Sequence, residues 1–181
     1  MKNVKVIGLT GSIASGKSET ARMLKKSGAI VIEADKIGHD LLNKDINVKA
    51  KIKKAFGTTD RKKFGDLVFA DKNKLEQLNQ ILHPKMRRNI QREINRLKRK
   101  KRIIVIDAAL PHLFAGLVDE VWVVIASKEK RLQRLIKMGL SEDDAKKRIN
   151  SQMSQKEYLK LADRIIKNEG KLEDLKAAIL V

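Results

Sequence analysis

Residues 5–18 read KVIGLTGSIASGKS, and the fold follows from them. An apolar run over residues 4–9, broken only by Lys5 and Gly8, predicts a short buried strand. The run empties into Gly11, Ser12, Ile13, Ala14, Ser15, Gly16, Lys17 and Ser18, which match G-x-x-x-x-G-K-[ST], a phosphate-binding loop. Residues 19–26 directly behind it predict a helix. A triphosphate needs several backbone N–H groups converging on one anion, and only a glycine-containing loop lets the main chain come that close. The positive end of the following helix adds to the attraction. In such a loop Lys17 reaches the β- and γ-phosphates and the Ser18 hydroxyl holds Mg2+. A chance eight-residue match is the competing explanation, and the strand before and helix after argue against it.

A chain of 181 residues is expected to form one domain, residues 1–181. Apolar residues make up 42%, enough for a core, but aromatics are only 3%, so the core must be aliphatic and base-stacking platforms are not expected. Cysteine is absent, which excludes disulfides and thiolate metal sites. The sequence opens on a strand, without an apolar run long enough for a signal peptide or membrane span, so a soluble cytoplasmic protein is the expectation. The formal charge of +19 attracts polyanions, whether nucleotide, coenzyme, RNA or membrane. Residues 85–102 hold ten basic residues and one acid, Glu93, while Met86, Ile90, Ile94 and Leu97 recur at helical spacing. That pattern predicts an amphipathic helix with a basic outer face, either simply solvated or used for an anion.

Gly28 ends the first helix, and residues 29–32 predict a second strand closing on Glu33-Ala34-Asp35. Carboxylates at the C-terminal end of a strand in an open α/β sheet face the ligand crevice, which places Asp35 for function; a helix N-cap is the ordinary alternative. Residues 36–102 read as a long helical excursion. Ile37, Leu41 and Leu42 fit one helix, and Val48, Ile52 and Ala55 fit another that stops at Gly57. Phe64, Leu67, Val68 and Phe69 form an apolar cluster, and Leu75, Leu78 and Leu82 a further helix, which Leu82-His83-Pro84 is expected to break. An excursion of this kind on a nucleotide-binding sheet commonly carries the second substrate.

Residues 103–107, IIVID, predict a third strand whose terminal Asp107 resembles a Walker B acid acting on Mg2+, with a capping role as the alternative. Residues 120–126 give a fourth strand with Trp122 in the core. A helix over 128–138, a break at Gly139 and a helix from Ser141 through Arg148 to about Gln152 follow. Residues 162–166 give a fifth strand, Asn168-Glu169-Gly170 a turn, and Leu172, Leu175 and Ile179 a closing helix. This alternation predicts an α/β fold, a parallel five-stranded sheet with helices on both faces. The core would comprise residues 1–35, 103–133 and 162–181, with a helical acceptor-binding insertion over 36–102 and a small lid over about 134–155. Phosphoryl transfer is mostly positioning and charge neutralisation. Asp35 can supply the acceptor-side carboxylate, and Arg134 and Arg148, flanking Gly139, can supply lid cations or serve as surface ion-pair partners.

The set of motifs resembles the dephospho-coenzyme A kinases, a P-loop kinase family, over nearly the whole chain. The matching pieces are the opening loop, VIEAD at 31–35, Leu82-His83-Pro84, residues 107–114, RINSQ at 148–152, Ala162-Asp163 and Asn168-x-Gly170. The resemblance implies transfer of the γ-phosphate of ATP, with Mg2+, to the ribose 3′-hydroxyl of dephospho-coenzyme A, the last step of coenzyme A synthesis. It implies Asp35 as the base, Lys17, Arg134 and Arg148 as catalytic cations, and an ATP site of Gly11 through Glu19 with Asn168 beside the adenine. His83, Pro84 and Lys85 in the excursion, with Asp35 and Asp107, would contact the acceptor, and Ser18 and Asp107 the metal. Some positions depart from the family pattern. Glu33 replaces an aspartate and Glu19 a threonine; the lid is one residue short and has Lys137 where a second arginine is usual; and the acid expected after Phe114 is missing.

Two rival readings remain. A P-loop kinase for another small acceptor, such as a nucleoside monophosphate, shares all of this chemistry. A basic polyanion or RNA binder using residues 85–102 would need neither Lys17 nor Asp35, and its affinity would fall steeply with salt. A GTPase is disfavoured because no Asn-Lys-x-Asp motif occurs. The expected partners are ATP and dephospho-coenzyme A, with no membrane and no requirement for nucleic acid.

Overall fold

Side chains along a strand point alternately to its two faces, so strands that are apolar at nearly every position belong inside a two-faced parallel sheet. The computed structural model describes residues 4–60, 64–65, 67–68, 71–100, 103–170 and 172–179. Its strands are β1 (Val6–Gly11), β2 (Ile30–Glu33), β3 (Ile104–Asp107), β4 (Glu120–Ile125) and β5 (Arg164–Lys167), in the spatial order β2-β3-β1-β4-β5. The helices are α1 (Lys17–Lys26), α2 (Ala34–Lys44), α3 (Ile46–Phe56), α4 (Lys72–Leu97), α5 (Lys128–Lys137), α6 (Glu142–Asn150), α7 (Gln155–Lys160) and α8 (Leu172–Ile179). The α/β fold expected from the alternation of apolar runs is the one adopted.

The chain divides into two compact units, one of the residues up to Ile32 and from Ile94 onward, the other Glu33–Glu93. In the first, β1 is buried along its whole length and runs parallel to β3, from Val6↔Ile104 to Leu9↔Asp107, and to β4, from Ile7↔Glu120 to Gly11↔Val124. Alternate residues Ile7, Leu9, Val105, Trp122, Val124 and Ile166 face one side, where they pack against Ala21, Met23 and Leu24 of α1 and Leu175 and Ile179 of α8. Trp122 is fully buried in this core, with the Arg164 guanidinium 4.5 Å over its ring and its indole N–H donating to Glu120. On the opposite side of β1, Gly8 lies under Phe114, whose ring would sit 2.6 Å from a Cβ at that position.

Two aspartates lock the register. Asp119, just before β4, accepts the Val6 N–H at 2.7 Å while its own N–H donates to the Val6 carbonyl at 2.8 Å. Asp163, just before β5, treats Val121 in the same way, at 2.7 and 2.9 Å. Each strand therefore begins with one residue of its neighbour held at both polar groups.

In the second unit, Asp45 joins α2 to α3. Its carboxylate caps α3 by accepting the Val48 N–H at 2.9 Å and takes the Lys85 ammonium at 2.7 and 2.8 Å. Met86 packs 3.2 Å from where a Cβ of Gly38 would stand, and Phe64 meets Phe56 edge-on at 5.3 Å. Phe69, counted in the same apolar cluster, lies outside the described residues, as do Lys101 and Arg102 of the basic segment.

The expected break at Leu82-His83-Pro84 does not occur, because α4 runs unbroken from Lys72 to Leu97 with Pro84 inside it. Proline deletes one main-chain hydrogen bond of the helix. The buried stripe Leu82, Met86, Ile90, Ile94 and Leu97, four residues apart and at the end three, outweighs that loss by keeping the helix on its core. The helix expected to reach Gln152 ends at Asn150, and a separate α7 follows, opened by a capping box between Ser154 and Glu157.

Candidate active site

The strand order fixes where a ligand binds. From β1 the chain goes to β2 and β3 on one side and then crosses to β4 and β5 on the other, so the reversal lies at the C-terminal end of β1. That end is Gly11, where the phosphate loop begins. A Cβ at Gly11 would lie 2.4 Å from the Val124 carbonyl oxygen of the neighbouring strand, and one at Gly16 would lie 1.9 Å from the Asn168 side-chain nitrogen. Gly16 also has φ near +100°, a conformation that other residues rarely adopt. Ala14 at the loop tip has φ near +58° despite its side chain, so its neighbours must hold it there.

Those neighbours come from three elements. Arg134 of α5 donates to the Ala14 carbonyl at 2.9 Å and the Ser15 carbonyl at 3.3 Å, and its other terminal nitrogen donates to the Asn168 main-chain and side-chain oxygens at 2.9 and 3.3 Å. Asn168, following β5 and buried, donates from its side chain to the Ser15 carbonyl at 2.8 Å. The Gln152 side chain, after α6, accepts the Ile13 N–H at 2.6 Å. Ile13 and Ala14 also rest on an apolar cluster of Leu135, Ala145 and Ile149 from α5 and α6. The segment read as a lid over about 134–155 thus contacts the phosphate loop through Arg134 and Gln152.

Lys17 and Ser18 are the first two residues of α1, where main-chain N–H groups lack helical acceptors. Across the sheet Lys17 forms an ion pair with Asp107, at the end of β3, and both side chains are largely shielded, at 14% and 13% exposed. Ser18 is exposed. Its hydroxyl and the Asp107 carboxylate offer hard oxygen donors. Among the described residues no group of three or more His, Cys, Asp or Glu could hold a metal by itself. Mg2+ bound with phosphates takes only one or two protein oxygens, which Ser18 and Asp107 can offer.

Glu19 turns its carboxylate to Arg22, at 2.5 and 2.9 Å, and that guanidinium lowers its pKa. Arg148 is exposed near the end of α6 and makes no ion pair among the described residues. Asp35, in the other unit, is exposed in the first turn of α2; Glu33, not Asp35, occupies the N-cap position. Lys85 is held by Asp45, His83 is half-buried and Pro84 exposed on α4. Gln152 closes the RINSQ motif at 148–152, but nothing in the sequence assigns it a role at the loop. Arg131, in the charged run KEKR, reads as surface but is buried.

Against known proteins, a family model described as dephospho-CoA kinase matches residues 5–174. A dephospho-CoA kinase of Carboxydothermus hydrogenoformans is 40% identical over 97% of this chain and 91% of its own. The structure of a dephospho-CoA kinase from Campylobacter jejuni is similar with a TM-score of 0.71 at 30% identity, covering 96% of this chain and 92% of that one. A crystal structure of a protein from Thermus thermophilus is similar with a TM-score of 0.78 at 32% identity, covering 98% and 95%.

Proposed function

We infer the reaction from one premise: this chain belongs to the dephospho-CoA kinase family. The reaction is ATP-dependent phosphorylation of the ribose 3′-hydroxyl of dephospho-coenzyme A, giving coenzyme A and ADP. The observation that carries it is the Lys17–Asp107 pair at the mouth of a glycine loop, at the point where the strand order reverses. There the loop N–H groups bind the triphosphate and Lys17 follows the phosphate being transferred. Ser18 and Asp107 would hold Mg2+, which when bound neutralises charge on the phosphates.

Asp35 accepts the proton of the attacking hydroxyl, a task suited to an exposed carboxylate that makes no ion pair among the described residues. Arg148, unpaired among the described residues, serves as the cation for the transferring group, and Arg134 acts on the loop. The helical unit 33–93, with His83, Pro84 and Lys85, binds the acceptor. Among the described residues no helix is long and apolar enough to cross a membrane, and a cytoplasmic site of action accords with that.

The test is an ATP-consumption assay with dephospho-coenzyme A beside a panel of nucleoside monophosphates and sugars, with and without Mg2+. Turnover is expected with dephospho-coenzyme A and Mg2+ only. Asp35→Asn should lower kcat by roughly 10²–10⁴ while the Kd for ATP stays within about threefold. Faster turnover of another acceptor would overturn the reading.

A further inference from the structure

An arginine flanked by Lys128, Glu129 and Lys130 on a short helix should lie in solvent, yet Arg131 is only 7% exposed. Its Nε has no hydrogen-bond acceptor, and its guanidinium makes no ion pair with a carboxylate among the described residues. A guanidinium stays charged and carries five donors, so burying it without acceptors is costly unless an anion completes its surroundings. Burial accordingly pulls its pKa below the ordinary value, against weaker attractions from Tyr158 and Glu129.

Its position gives the anion a source. Arg131 lies one turn before Arg134 on α5, and residues three apart share a helix face. Arg134 rests on the carbonyls of Ala14 and Ser15 in the phosphate loop. Arg131 also interacts electrostatically with Tyr158, itself buried, whose hydroxyl makes a long 3.4 Å hydrogen bond to the Ala109 carbonyl, as does the Thr10 hydroxyl from β1. Ala109 is two residues past Asp107. Arg131 therefore shares a helix face with the arginine that fastens the loop and neighbours the tyrosine that reaches Ala109, in a chain whose proposed substrates both bear phosphates.

We propose that Arg131 is a phosphate-binding residue of this site, its guanidinium taking oxygen atoms of a phosphoryl group on a bound substrate. The inference rests on the proposed function for the identity of that substrate, which is either ATP or the diphosphate of the acceptor. A guanidinium serves this role better than an ammonium because its planar fork engages two oxygens at once.

The experiment compares wild type, Arg131→Met and Arg131→Lys by calorimetric titration with MgATP, inorganic tripolyphosphate and dephospho-coenzyme A, together with kcat and the urea midpoint. Arg131→Met should keep or raise the midpoint, since an apolar chain of similar length replaces an unpaired buried charge. One phosphate ligand should bind about tenfold to a hundredfold more weakly, with Arg131→Lys in between. Loss with MgATP and tripolyphosphate assigns the nucleotide, and loss with dephospho-coenzyme A alone assigns the acceptor. Unchanged affinities and kcat in both variants would overturn the proposal, whatever the midpoint does. If Arg131→Met does not fold, Arg131→Lys gives the same reading, because it keeps the charge and removes the fork. A wild type that binds ATP but turns over no dephospho-coenzyme A would refute the proposed function instead, leaving the MgATP and tripolyphosphate titrations to judge Arg131.

Discussion

Replacing Arg134 by alanine removes four hydrogen bonds, two at 2.9 Å to Ala14 and Asn168 and two longer ones at 3.3 Å. A hydrogen bond from a charged donor contributes about 1.5–3 kcal/mol net. Arg134 is half-buried and the carbonyls it leaves can be reached in part by water, so counting only the two short contacts at the low end gives about 3 kcal/mol. The loss falls on a loop already holding Ala14 at positive φ, so the loop should relax and nucleotide affinity should fall as well. Urea unfolding should show a lower midpoint at unchanged slope, and calorimetry a weaker ATP Kd, by about tenfold for every 1.4 kcal/mol of loop distortion. Arg134→Lys, a point charge unable to span the Ala14 and Asn168 carbonyls together, should recover part of the loss. If Arg134→Ala unfolds and binds ATP like wild type while kcat collapses, Arg134 acts on the transferring phosphate and the fastening role is wrong.

Three further outcomes follow from single contacts. Gly16→Ala combines strain at φ near +100° with a Cβ 1.9 Å from the Asn168 side chain; a loss of at least about 2 kcal/mol in urea and of ATP binding is expected, and an unchanged ATP Kd would contradict it. Asp119→Ala leaves the Val6 N–H without its carboxylate and should cost about 1–3 kcal/mol, most of it restored by Asp119→Asn; equal midpoints for the two variants would count against the register lock. The Lys85 ammonium, with the Val48 N–H, holds the Asp45 pKa below its ordinary value. A depressed folded-state pKa gives stability that is present above the unfolded value of about 4 and is lost as pH falls through the folded one. The Val48 amide should therefore exchange faster with deuterium on acidification below about pH 4 in wild type, and Asp45→Asn should abolish that added dependence; identical profiles would rule the linkage out.

The loop and the strands were legible because each strand carries a short apolar run, closed in β1 by glycine and in β2 and β3 by a carboxylate, a local signal needing no tertiary knowledge. Strand ends drifted by a residue or two: β1 continues to Gly11 because pairing with Val124 extends it beyond its apolar run. Pro84 misled because a local penalty of one hydrogen bond was weighed without the stripe that holds α4 in place. Asp35 and Asp107 could be picked out by their strand-end positions, whereas Gln152 could not, since its partner Ile13 is 139 residues away. Arg131 was hidden by its own neighbours: in a segment of charges, sequence gives no sign of which one turns inward.

The pairing of Lys17 with Asp107 has a kinetic consequence. On the proposed function a phosphate arriving at Lys17 would not meet a bare cation but would exchange with a resident carboxylate, so the attraction gained would be a difference and not a full ion pair. The same carboxylate waits to reclaim the lysine when the phosphates depart. On the proposed function, such an internal competitor would shorten the time that the nucleotide product stays bound on each cycle.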